Sequence, residues 1–172
     1  YADPVHKVSI VSRGSAGGYT LKLPLEEKRL QSKKEFLDDI AMTLGGYVTE
    51  QEVFGDITTG PSNDLQVATS LARAMVTRWG MSDNIGPVAL ESDDGRRIYG
   101  VGINDKEYSE KVSATIDEEV SKIMNEALGK AKNIIVEKRK VLDIIANRLI
   151  EVETLEQKEY NDLIIANGIM PK

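Results

Sequence analysis

Among 172 residues, the stretch Thr59-Gly60-Pro61-Ser62-Asn63-Asp64 concentrates what chemistry would need: a turn, a helix start and an acidic side chain. Asp64 falls at the head of a helix expected over 65–79, where the helix dipole favours a negative charge. An acid in that position usually serves capping and the dipole, and on spacing alone this plainer reading prevails. Glu50 and Glu52 share one short helix and offer a pair of carboxylates, although solvated helix glutamates are far commoner. His6 is the single histidine, and the chain has no cysteine. Neither a catalytic triad nor a two-histidine metal site can therefore be assembled from these residues, and thiolate catalysis, disulfides and Cys-ligated zinc are excluded. We read His6 as a surface or strand-start residue. Gly14-Ser15-Ala16-Gly17-Gly18 lacks the Gly-Lys-Ser/Thr ending of a phosphate loop and lies between two strands, so it reads as a turn.

The bulk numbers narrow the function classes. A net charge of −6 argues against a general nucleic-acid binder, which needs a clustered basic surface, and against attraction to an anionic membrane. With 41% hydrophobic residues but only one Trp and two Phe, the core must be aliphatic. The longest apolar run falls short of the roughly 20 residues of a membrane helix. No charged-then-apolar leader is visible, and a start at Tyr1 without Met reads as a piece of something longer.

The elements that must position these residues follow from periodicity. Residues 7–12 and 19–23 alternate around a glycine turn and predict a hairpin, limited by Pro24. Ser32 and Glu35 form a capping box before a helix burying Phe36, Leu37, Ile40, Ala41 and Leu44. Gly45-Gly46 interrupts it, a short helix resumes over 47–54, and Gly55 ends it. Leu65, Ala68, Ala72, Met75, Val76 and Trp79 form the stripe of the next helix, with Ser62 expected as its N-cap. Residues 81–105 read as a loop with a short strand near 97–101. Three helices are then expected near 109–137, 139–152 and 156–167, the last closed by Gly168, and short connections predict that they pack antiparallel. Basic side chains such as Lys130, Lys132 and Arg139 read as a solvated face. The expected class is mainly α with a small β-sheet (α+β), divided at 1–108 and 109–172.

Several of these blocks resemble the peptidase domain of FtsH-type AAA+ zinc metalloproteases. Val5 to Gly14, Gly18-Tyr19-Thr20 and Leu23-Pro24 look like the strands after the family's catalytic helix. Leu44-Gly45-Gly46 with Glu50 and Phe54-Gly55 resembles its Gly-Gly-Arg-x-x-Glu helix, with Tyr47 in place of Arg. Thr59 to Leu65, followed by Ala68-Thr69, Leu71-Ala72-Arg73, Met75-Val76-Thr77 and Trp79-Gly80-Met81-Ser82, is the most specific block. Gly86-Pro87-Val88 continues it, and Ile116-Asp117-x-Glu119-Val120 fits the family's long C-terminal helix.

The resemblance implies zinc held by two histidines of an HExxH helix plus a downstream aspartate, which matches Asp64. The fourth position stays open for a water that the motif's glutamate deprotonates. Glu50 is implied as a supporting acid, and Tyr19, Thr20 and Leu21 as a strand that takes extended substrate by β-addition. No HExxH occurs in these residues, so no catalytic residue is present and the chain alone is expected to be inert. The parent would be an ATP-dependent endopeptidase acting on unfolded or membrane proteins: a homohexamer with its own AAA+ module and membrane anchor, its peptidase domain in the cytoplasm. ATP would be bound by that module. A non-catalytic assembly module related to the family is the alternative. With the HExxH helix missing, Leu65, Ala68, Phe36 and Ile40 are expected to line an exposed apolar groove.

Overall fold

The computed structural model describes residues 3–12, 14, 17–23, 30–91 and 108–171. Its elements run β1 (Val5–Ser9), β2 (Tyr19–Lys22), α1 (Lys33–Thr43), α2 (Gly45–Phe54), α3 (Ser62–Thr77), α4 (Glu110–Glu137), α5 (Arg139–Val152), β3 (Thr154–Glu156) and α6 (Gln157–Ala166). The mainly helical class with a small sheet is as the sequence predicts. Two compact units arise, residues 32–133 and residues 1–31 with 134–172. They cut the chain differently from the 1–108 and 109–172 division read from the sequence. The strand expected near 97–101 lies outside the described residues.

In the first unit, α1, α3 and α4 meet around Ile40, Ala68, Ala72, Met75, Val76 and Ile116, all fully buried. The alanines let α3 approach its neighbours closely, and the branched aliphatics fill the remaining volume as interiors require. Ser32 and Glu35 form the expected capping box, with the Ser32 amide donating to Glu35 Oε2 at 2.7 Å and the Glu35 amide to Ser32 Oγ at 3.3 Å. Leu44 ends α1 and begins α2, so Gly45-Gly46 opens the second helix rather than interrupting the chain. Gly55 closes α2 in the left-handed region at φ 70°.

Two expectations are corrected here. Ser62 is not the cap of α3: the N-cap is Pro61, which has no side-chain acceptor, and the Ser62 amide instead donates to the Thr59 carbonyl at 3.2 Å. The turn places Ser62 already inside the helix. The expected apolar groove does not form either: Ile40 and Ala68 are fully buried, Phe36 is 8% exposed, and Leu65 is half-buried against the same core. The chain covers this surface with its own residues, in part by stacking Trp79 on Phe36 with ring centroids 4.6 Å apart.

In the other unit, β1 is the central strand of the order β2-β1-β3, antiparallel to both neighbours. Val8 faces Thr20 on one side and Leu155 on the other, while His6 sits where the β1–β2 register slips between Val5 and Lys7. An ideal Cβ at Gly18 would lie 2.5 Å from the Ser9 carbonyl oxygen, so only glycine permits this hairpin. β3 is absent from the sequence reading, and it changes the C-terminal architecture. By pairing with β1 it brings α5 and α6 against the sheet, with Leu155 fully buried. The expected three-helix bundle is thus divided, because the α4 stripe Ile116, Ile123 and Ala127 belongs to the core with α1 and α3.

Ile40→Ala is expected to lower stability by about 2–5 kcal/mol, since the removed atoms leave a cavity no neighbour fills. Val67→Ala, on the exposed side of α3, should change it by no more than about 0.5 kcal/mol. Urea unfolding of the two variants beside the parent chain checks this.

Candidate functional site

Asp64 lies in the first turn of α3 with its side chain exposed, and it makes no hydrogen bond or ion pair among the described residues. A free carboxylate at the positive end of a helix can coordinate a cation or accept a hydrogen bond. What distinguishes this helix start is the loop that leads to it. The half-buried Glu50 accepts the Thr58 amide on Oε2 at 2.8 Å and the Thr58 hydroxyl on Oε1 at 2.9 Å. Thr58 Oγ1 in turn accepts the Gly60 amide at 3.0 Å. Pro61 is buried, and its carbonyl receives the Leu65 amide at 2.9 Å as the first helical bond. Backbone from 58 to 65 is therefore held at successive positions, and Glu50 reaches it from α2.

Glu52 does not join Glu50. Two residues apart on a helix, the carboxylates diverge, and Glu52 pairs with Lys132 of α4 at 2.6 Å. Lys130 likewise pairs with Asp38 of α1, so these lysines tie α4 to its neighbours instead of forming only a solvated face. Burial pushes the Asp38 carboxyl up, the Lys130 hydrogen bond and charge are among the interactions that pull it down, and on balance the group lies below its usual value.

The far half of α3 is anchored by a polar cluster that periodicity gave no sign of. Arg73 Nη2 donates to Glu91 Oε1 and to the Tyr108 hydroxyl, both at 2.9 Å, and the Thr77 hydroxyl lies 3.0 Å from Glu91 Oε2. Burial raises the Glu91 carboxyl, yet the Arg73 and Thr77 hydrogen bonds and the Arg73 charge prevail and lower it overall. Nearby, the buried Glu119 of α4 accepts Ser82 Oγ at 2.7 Å and the Asn84 amide, fastening the segment after α3. The structure thus joins Glu50 to the Asp64 loop within one unit. Tyr19, Thr20 and Leu21 lie in the other unit, on β2, an outer strand in the order β2-β1-β3.

The profile of peptidase family M41 matches residues 1–163. The chain belongs to peptidase family M41. Among similar proteins, the ATP-dependent zinc metalloprotease FtsH of Veillonella parvula is 43% identical over 95% of this chain and 26% of its own length. The protein of the same name from Bacillus subtilis is 43% identical over 99% of the chain and 27% of its own. That from Endomicrobium trichonymphae is 44% identical over 99% and 27% respectively. The M41 chain therefore spans about a quarter of the length of these relatives. No helix of the described residues is long and apolar enough to cross a membrane.

A zinc site needs about three protein ligands with oxygen, nitrogen or sulfur donors. Asp64 fits one such position, as an exposed carboxylate with no competing partner on a braced backbone. No group of three His, Cys, Asp or Glu that could hold a metal occurs among the described residues, so they do not form a complete site by themselves.

The Glu91 cluster makes a pH-dependent contribution to this M41 fold. Because its folded value is lowered, the unfolded chain binds the proton more readily, and the stabilisation is present above the ordinary value of 4.5 and lost as pH falls through the folded one. Glu91→Gln should therefore be less stable than the parent at pH 7, with the gap closing as pH falls below the ordinary value of 4.5 and through the folded one. Urea midpoints from pH 7 to pH 3 would show it, and a gap independent of pH would contradict it.

Proposed function

We propose that this chain is the part of an ATP-dependent zinc metalloendopeptidase that supplies the carboxylate ligand, with Asp64 in that role. The observation that carries this reading is a partner-free carboxylate at a helix start whose approach is fixed by hydrogen bonds, in a chain whose residues 1–163 match peptidase family M41. Zinc, when bound, polarises a peptide carbonyl and makes its bound water a nucleophile near neutral pH. This chain's own part is to present one anionic oxygen in a fixed direction. Glu50 supports it through the loop. The single histidine leaves the two imidazoles to a segment outside these 172 residues, and without it the chain is inert.

Strand β2 at Tyr19, Thr20 and Leu21 would take an extended peptide by strand addition, its main-chain groups giving affinity without sequence choice. That suits unfolded protein substrates. The relatives' names give ATP dependence, which supports an ATPase module on the same polypeptide; the homohexameric ring, membrane-anchored with the peptidase domain in the cytoplasm, rests on the resemblance to FtsH-type proteases. ATP belongs to that module. Nucleic acid does not enter this reading.

In the full-length protein carrying this chain, Asp64→Ala should lose most bound zinc and more than about 100-fold of casein cleavage, since even outer partners of a metal ligand are worth 10–100-fold. Unchanged zinc content or undiminished cleavage would contradict the assignment.

A further inference from the structure

Thr58 is exposed and packs against no core, yet both its amide and its hydroxyl are engaged. A hydroxyl carries one hydrogen and two lone pairs. Here the hydrogen goes to Glu50, and a lone pair takes the Gly60 amide at 3.0 Å. The backbone amide of the same residue goes to the other Glu50 oxygen. Gly60 lies close under this arrangement: a Cβ there would come within 3.1 Å of Glu50 Oε1 and 3.2 Å of Thr58 Oγ1.

We propose that Thr58 is a positioning residue for Asp64, transmitting the placement of Glu50 on α2 to the start of α3. This rests on the reading of Asp64 as a metal ligand. The connection is short and continuous. Glu50 fixes residue 58, the Thr58 hydroxyl fixes residue 60, and the Thr59 carbonyl takes the Ser62 amide at 3.2 Å. Asp64 comes next, within the same helical turn. Glu50 itself is carried by a helix whose Val48 is buried, so the loop is referenced to packed structure. Glu50 thereby acts on the ligand through Thr58, with its hydrogen bonds going to that residue and not to Asp64.

The test is a zinc titration of the full-length protein against a chromophoric chelator. Thr58→Val keeps the shape and removes the hydroxyl; it should weaken zinc binding about 10-fold, with a melting temperature within about 2 °C of the parent. Thr58→Ser, which restores the hydroxyl, should bind as the parent does. Glu50→Ala should weaken binding at least as much as Thr58→Val, and adding Thr58→Val to it should weaken binding no further, because residues acting through one another are not additive. Parent-like affinity in Thr58→Val, or losses that add in the double variant, would overturn the proposal. Asp64→Ala in the same titration separates the two claims. Parent-like affinity there overturns the ligand reading, whereas lost affinity there beside unchanged Thr58→Val overturns the positioning role alone.

Discussion

The Glu50 carboxylate is the constraint on which the start of α3 depends. Its two oxygens hold the amide and the hydroxyl of Thr58, eight residues downstream, and so close the loop between α2 and α3. Each bond is exposed and worth only about 1.5–3 kcal/mol at most, being charge-assisted but open to water. Their importance is directional. A helix whose first turn is left unfastened frays, and the role proposed for Asp64, that of a metal ligand, needs a narrow range of orientations. The carboxylate converts a connection into a bracket.

The bracket has value because α3 is itself fixed. Its buried stripe is built from Ala68, Ala72, Met75 and Val76, so the helix sits close to α1 and shares a packed core with Ile116, Ile123 and Ala127 of α4. Polar clusters hold the chain beyond its C-terminal end. Arg73, Thr77, Glu91 and Tyr108 fasten the segment that returns along α3, and Glu119 fastens residues 82 and 84 to α4. The aliphatic core demanded by so few aromatics thus leaves orientation to hydrogen bonds at the helix ends. The one ring stack among the described residues, Phe36 on Trp79, closes the surface where an open groove was expected.

What the sequence disclosed and what it concealed divide along physical lines. Ser32 and Glu35 were legible because a capping box is a local exchange three residues apart, and Gly55 and Gly168 because left-handed closure favours glycine. Ser62 misled, since a Ser before an apolar stripe reads as a cap when the chain has already turned into helix at Pro61. β3 was invisible: three residues carry no alternation, and their partner strand lies at the opposite end of the chain. The grip of Glu50 on Thr58 follows no helical or strand period, so only coordinates reveal it. Asp64 stands out as a helix-start acid from spacing alone, and the ligand role proposed for it comes from the resemblance of the surrounding residues to FtsH-type proteases.

One bond is decisive, the one proposed between Asp64 and zinc. A zinc-loaded structure of the full-length protein, with the metal located by anomalous scattering, measures it directly. We expect an Asp64 carboxylate oxygen about 2.0–2.2 Å from the metal, two imidazole nitrogens beside it, and Glu50 still bonded to Thr58. Zinc held by Glu50 instead, or lying out of reach of Asp64, would contradict the assignment of Asp64 as ligand and Glu50 as its brace.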